Sequence, residues 1–375
     1  NSVTVSGSQV NGVYISGGHA EAAFGDKKTS VTANDNSVTV SGSTVDDTII
    51  SGGYAYAKDN QKATATANNN SVTIDSSTVR NNKAITGGGA NGNSKNATAE
   101  ASNNSVTVSG GSKVYGGYIF GGEATAFGAQ TATAKANSNS VTVSNGSTVD
   151  GDDIYGAIHG GDAYAYDRQN ANAEASGNSV TVSGSTVNGD IFGGYAYASG
   201  NQTAAAEANG NSVTVSGSET KVGDIYGGYT KAHNSKKATA EANNNSVTVS
   251  NGSTVNGDIF GGYADAYYGT QNTEYATGNT VTIDSATVES GNTIAGGAVY
   301  IDDENDTHIA TGNTVTLTGN YTIDGTSLYG GYDKGNEDFA SGPNDDLFSG
   351  NTLNLDARKV ATTSVRQVAN FETIN

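Results

Sequence analysis

Residues 178–210 read NSVTVSGSTVNGDIFGGYAYASGNQTAAAEANG, and the fold follows from this stretch. After the opening Asn178, Val180 and Val182 alternate with Ser179, Thr181 and Ser183. Such period-two alternation describes a strand with one buried face. Ile191 and the pair Gly193-Gly194 come next, followed by Ala196 and Ala198 alternating with Tyr195 and Tyr197. A third run places Ala204, Ala206 and Ala208 inward, with Ala205 and Glu207 outward. Ile191 and Tyr195 share sequence parity but are assigned to opposite faces, so the glycines between them must change parity, as a bulge or corner does.

The same sentence recurs along the chain. The opening Asn returns at 36, 70, 104, 139, 178, 211, 245, 279, 313 and 351, in steps of 33 to 35 residues with two longer steps of 38 and 39. Gly-Gly pairs recur in phase from 17–18 to 330–331, and two residues before each first Gly stands a large aliphatic residue, from Ile15 to Leu328. One register position filled this way reads as a buried ladder. The next rank is mixed (Ser16, Ser51, Thr86, Phe120, His159, Phe192, Tyr226, Phe260, Ala295, Tyr329) and is expected to be partly exposed.

These ranks predict an all-β parallel β-helix, or β-solenoid, of about ten ~34-residue repeats, with one coil of three strands per repeat. Like residues then stack at ~4.8 Å, giving a rod of roughly 50 Å. Repeats start near 1, 36, 70, 104, 139, 178, 211, 245, 279 and 313, so the array covers 1–350, and 351–375 is a partial coil and the start of a following segment. Asn-rich junctions such as Asn243, Asn244 and Asn245 suit the corners, because Asn tolerates the left-handed conformation and can ladder with itself. A competing arrangement, two short coils per repeat, would stack Val ranks on Ala ranks.

Composition bounds the function. The 375 residues carry a net charge of −19, which argues against nucleic acid as a partner, since that needs a basic face. No apolar run approaches the ~18–20 residues of a membrane helix. Low hydrophobic content, 34%, with that charge would suit disorder, but disordered tracts have no reason to keep period two. The absence of Cys fits the cytosol, and equally a secreted chain that crosses a membrane unfolded. The chain begins inside a repeat with no signal peptide, as expected of an excised fragment.

Repeats of the type NSVTVSGSTVNGDIFGGYA, at 178–196 and nearly so at 245–263, resemble the passenger regions of Gram-negative autotransporters (type V secretion). The ending VANFETIN, 368–375, is similar to the segment that often follows such repeats. The resemblance covers nearly the whole chain. It implies a right-handed parallel β-helix at the cell surface, anchored in the outer membrane through a C-terminal barrel that this chain does not contain, and serving adhesion, autoaggregation or biofilm formation. No catalytic motif of the family, such as Gly-x-Ser-x-Gly, maps onto the sequence.

The residues left facing water carry whatever the rod binds. The outward Tyr ranks (Tyr54, Tyr56, Tyr164, Tyr195, Tyr197, Tyr229, Tyr263, Tyr300 and Tyr332) form a candidate interaction stripe, able to stack on sugar rings or pack on protein. The plainer reading is that Tyr ladders with Tyr and favours strands. A second candidate is a hydroxyl face with Thr107, Thr142, Thr181, Thr214 and Thr248 in one rank between ranks of Ser. Such an array resembles an ice-binding solenoid, although Ser replaces the second Thr rank. Acidic groups (Asp152, Asp153, Asp190, Asp224, Asp258, the loop Asp302, Asp303, Glu304 and Asp306, and Asp345, Asp346) could offer calcium its oxygens, yet no calcium-loop repeat occurs, and solvation is the simpler role. His19, His159, His233 and His308 occupy different ranks, and Lys27, Lys28, Lys62, Lys236 and Lys237 lie near strand starts. No catalytic residue, cofactor or metal site is indicated. The expectation is a non-enzymatic adhesin partnered by other cells, glycans, proteins or its own copies, outside the cell and without membrane insertion. The alternatives are a polysaccharide-degrading β-helix enzyme and a structural spacer or ice-binding array.

Overall fold

The computed structural model describes residues 1–12, 14–25, 28–80, 83–151, 157–300, 306–334, 347–356 and 364–375. Among them the chain is all-β, with no helix, and winds as a β-solenoid of about ten turns. Every strand pairs in parallel with its counterpart about one repeat away, as in Val180 opposite Val213 and Ala204 opposite Ala238. One coil per repeat is therefore correct, and Val ranks stack on Val ranks.

Each coil contributes to four sheets, where the sequence suggests three strands. In the type repeat the strands are Ser179–Ser183, Thr186–Asn188, Ile191–Gly200 and Thr203–Glu207. Among the described residues the sheets hold 12, 9, 11 and 9 strands, and we number them one to four in that order. The added strand has only two or three residues per coil, too few to display a period. It exists because copies above and below supply its hydrogen bonds.

The interior divides into two compartments. Sheets one and two and the first half of the long third strand enclose Val180, Val182, Val187 and Ile191 with their copies. The second half of that strand and sheet four enclose Ala196, Ala198, Ala204, Ala206 and Ala208 with theirs. Between the compartments the coil narrows to a waist. There the opening Asn of each repeat is buried, and its Oδ1 accepts two bonds from the Asn one coil earlier: at Asn211, from the Asn178 backbone N–H (2.9 Å) and Nδ2 (3.1 Å). The bonds repeat from Asn36 to Asn313. Nδ2 of Asn70, Asn104 and Asn139 donates a further bond to a preceding Ala carbonyl.

The Gly-Gly pair forms the opposite wall of the waist. A Cβ on Gly193 would stand 2.2 Å from the Gly227 carbonyl oxygen, and one on Gly194 would stand 2.4 Å from the Ala175 oxygen. The pair is where the third strand changes face, as the parity of Ile191 and Tyr195 requires. The residue before each ladder Asn sits in the left-handed region, from Asp35 (φ 56°) through Asn69, Asn103 and Asn244 to Gly210 and Gly350. Asn and Gly adopt this conformation at least cost, which accounts for their prevalence there.

One coil breaks the Ala compartment with charge. Glu274 takes the place of Ala240 of the coil before it, and His308 follows it in register. The carboxylate accepts from the backbone N–H of Ala266 (2.6 Å) and Tyr300 (3.1 Å), and lies 2.9 Å from His308 Nδ1. Burial pushes its pKa up to about 8, with the His308 contact opposing the shift. The pair satisfies backbone donors where the third strand ends early, at Val299.

The terminal segment continues the array as a partial coil. Thr352–Leu355 and Thr373–Ile374 join sheet one, and Gln367–Ala369 joins sheet three.

Replacing Asn211 with Ala orphans two buried donors of Asn178 and should cost about 2–4 kcal/mol. Gly194→Ala should cost at least as much, and Thr181→Ala under about 0.5 kcal/mol. Amide hydrogen exchange in the coils on either side would register the difference, since long arrays need not unfold in one step. Glu274→Ala, which removes the ion pair with His308 and the acceptor of two backbone N–H groups, should cost about 3–5 kcal/mol by the same measurement.

Candidate functional site, an aromatic sheet interrupted by two acids

The outer face of sheet three carries the chemistry. Because the strand changes face at Gly-Gly, the residue before the pair and the residue after it both point outward as neighbours. Two rows thus run side by side along the solenoid: Phe120, His159, Phe192, Tyr226 and Phe260 in one, Tyr195, Tyr229 and Tyr263 in the other. Along each row rings stack at the coil spacing: Phe192 on Tyr226 at 4.9 Å, Tyr226 on Phe260 at 5.3 Å, Tyr195 on Tyr229 at 5.2 Å and Tyr229 on Tyr263 at 4.8 Å. Across the rows they meet edge-on or tilted, as in Phe192 with Tyr195 at 5.7 Å. Such pairs contribute about 0.5–1.5 kcal/mol each beyond area burial.

This packing corrects two expectations. The mixed rank before Gly-Gly is mostly buried: Ser51, Thr86, Phe120, His159, Phe192, Phe260, Ala295 and Tyr329 are all covered, while Ser16 and Tyr226 are half-buried. The Tyr stripe does not stand free either. Tyr54, Tyr56, Tyr164, Tyr195, Tyr197 and Tyr229 are half-buried, Tyr263 and Tyr332 are buried, and Tyr300 is the member of the stripe that is exposed. The side chains point outward, but the rings of Tyr164, Tyr195, Tyr197 and Tyr229 each contact a ring of the next coil, and Tyr195 and Tyr229 also meet the adjoining row. Between the coils of Phe192 and Phe260, what faces solvent is the uncovered part of the Tyr195, Tyr226 and Tyr229 rings. Burial pushes the Tyr54 hydroxyl up to about 12 and holds Tyr195, Tyr226 and Tyr229 well above their ordinary value of 10.0, so these phenols remain hydrogen-bond donors.

The second row is interrupted. Between Tyr54 and Tyr195 it holds Gly89, Glu123 and Asp162 in successive coils. Gly89 leaves room for the Tyr54 ring, which a Cβ there would meet at 2.9 Å. The smaller residues open two clefts. One, of about 370 Å³, lies among Tyr14, His19, Tyr54, Thr86, Gly89 and Glu123. The other, of about 280 Å³, is lined by Ala84, Tyr118, Phe120, Glu123, His159, Asp162 and Tyr164. Glu123 is common to both.

Asp162 is fully buried, and neither carboxylate oxygen has a hydrogen-bond partner among the described residues. Glu123 is its register neighbour, and His159 Nδ1 stands 3.4 Å from its Oδ2 without a bonding geometry. Burial raises the pKa of both acids, that of Asp162 well above 3.8, with the charge of Glu123 adding to the shift. In the sequence these two acids stand at the position after Gly-Gly that Tyr holds in other repeats, and no role follows from that position alone. The available signal is that a mostly aromatic rank, which also holds Gly89 and Ala298, turns acidic in two consecutive repeats.

The other candidates stay apart from this site. Thr107, Thr142, Thr181, Thr214 and Thr248 lie half-exposed in one straight row on sheet one. Asp224 and Asp258 accept backbone N–H bonds from the following coil, at Asp258 (2.8 Å) and Thr293 (2.7 Å), and Asp306 accepts from the preceding coil, from the Asn272 backbone N–H (2.9 Å) and Nδ2 (2.8 Å). Asp152, Asp153, Asp302, Asp303, Glu304, Asp345, Asp346 and Lys27 lie outside the described residues. The four histidines do not share a site: His19 stacks on Tyr54, His159 lines the smaller cleft, His233 contacts Tyr197, and His308 pairs with Glu274. Among the described residues no group of three or more His, Asp or Glu side chains is placed to hold a metal ion. No helix among them is long and apolar enough to cross a membrane.

No family model, no curated protein and no solved structure matches this chain.

The acid pair gives a signed pH effect. With folded pKa values raised, the native state holds protons that the unfolded state releases, so its stability falls as pH rises above the ordinary carboxylate value of 3.8. Asp162→Asn should therefore stabilise the fold relative to the parent at pH 8 and lose that advantage near pH 4. Thermal melts of both proteins across this range provide the check.

Proposed function

We propose that this chain is a non-enzymatic adhesive rod displayed outside the cell, like the autotransporter passengers it resembles, and that it binds glycans through the outer face of sheet three. The observation that carries this reading is the aromatic surface itself, with stacked rings continuing along the solenoid and opening into two adjoining clefts. Flat rings complement the C–H faces of sugars, and phenols and carboxylates at the cleft walls supply hydrogen bonds. Rigid in-register coils hold these groups in place before a ligand arrives, which lowers the entropic cost of binding. The hydroxyl face of sheet one is regular, and its Thr row lines neither of these two clefts.

The acid pair favours a second reading, a polysaccharide hydrolase on the same fold, because two carboxyls in adjacent coils have the makings of an acid and its partner. The two readings separate on one preparation. A glycan array probed with the purified rod should show binding that weakens at least tenfold in a Tyr54→Ser, Tyr197→Ser double variant and is unchanged when Thr142, Thr181 and Thr214 become Ala. Incubation with the bound glycans should release no new reducing ends. Unchanged binding in the Tyr variant, with its circular dichroism intact, would remove the aromatic face from the function. Release of sugar ends would make the chain an enzyme.

A further inference from the structure

The smaller cleft has a chemical requirement that the rest of the aromatic face lacks. Asp162 is wholly buried at its wall, with neither carboxylate oxygen hydrogen-bonded among the described residues. A buried polar group left without a partner costs free energy, and a buried carboxylate costs far more unless a counter-charge meets it. Glu123 stands in register with it one coil away, at a strand spacing of ~4.8 Å. Two acids that close do not both ionise unless a positive charge lies between or beside them. No Lys or Arg side chain lines the cleft, and its one basic group, the His159 imidazole, stands 3.4 Å from Asp162 Oδ2 without a hydrogen-bonding geometry.

We propose that this cleft binds the free amine of a hexosamine as its ammonium ion, with Asp162 and Glu123 receiving the N–H donors and the rings of Tyr118, Phe120 and Tyr164 taking the sugar body. An ammonium group presents three donors to the two carboxylates, and the aromatic walls favour a cation over a neutral group of the same size. A bare divalent cation fits less well, since it wants six or more oxygens and finds two carboxylates among rings. An anionic sugar is disfavoured by the same carboxylates and by the net charge of −19, which instead draws polyamines towards the rod. The cleft, at about 280 Å³, lies at the small end of ligand sites and suits one ring. The aromatic rows continuing past His159 to Phe192 and Tyr195 offer a platform for the next sugar of a chain.

This assignment rests on the reading of sheet three as a glycan-binding face, and the test keeps the two apart. Calorimetric titrations would compare four probes: an oligomer of glucosamine, its fully N-acetylated counterpart of equal length, a neutral glucose oligomer, and lysine amide. The glucosamine oligomer should bind at least tenfold more tightly than the other three. Asp162→Asn and Glu123→Gln should each remove that preference while leaving the circular dichroism unchanged; the Glu123 side chain is only partly buried, so its variant guards against a folding effect at Asp162. Equal binding of the N-acetylated oligomer, or full binding by the Glu123→Gln protein, would overturn the assignment. Lysine amide binding as tightly as the sugar would overturn the hexosamine in favour of a bare ammonium. If the neutral oligomer binds and the amine confers nothing, the amine site falls and the adhesive face stands. If no sugar binds at all, both fall.

Discussion

The waist of each coil is the constraint on which the rest depends. A buried Asn bonds to the Asn of the next coil while two glycines press against it from the opposite strand. Both sides are needed. Without the glycines the strands could not approach, because any Cβ would enter a carbonyl or an amide. Without the Asn ladder, backbone and side-chain donors would be left buried and unpaired. Since the same contact recurs from coil to coil, it also fixes register, and a slip of one residue would put the following Ser or Thr, such as Ser179 or Thr280, at the waist in place of the Asn.

From this waist follow the two cores. On one side, three sheets enclose a triangular space filled by Val and Ile. On the other, two sheets face each other across a layer of Ala, a side chain small enough to let them close. A further consequence is the change of face at Gly-Gly. It turns the residues on both sides of the pair outward, and two rows of side chains come to lie next to each other on one sheet. The aromatic surface therefore arises from the same contact that holds the coils together. A regular surface of this kind makes departures informative: Gly89, Glu123 and Asp162 interrupt the row in consecutive coils, and the clefts open there.

Much of this was legible in the residues. The period, the single coil per repeat, the inward Val, Ile and Ala ranks, the parity change at Gly193-Gly194 and the left-handed turn at Asn244 all follow from alternation and from what Gly and Asn tolerate. The short strand at Thr186–Asn188 was not legible, because three residues show no period and the pairing that defines the strand lies one repeat away. The acid cleft was only half visible. Glu123 and Asp162 stand out in their rank, but nothing in the string says that the Asp162 carboxylate would be wholly covered or that His159 would share its cleft.

The sequence alone determined which way each side chain points, since direction in a strand is a property of the backbone with period two. The tertiary structure decided which outward side chains remain in water. Tyr195 and Tyr263 occupy the same rank and point the same way, yet one is half-buried and the other buried. Exposure depends on the size of the neighbours one coil above, one coil below and one row across, and stacking at the coil spacing is what brings those distant residues together.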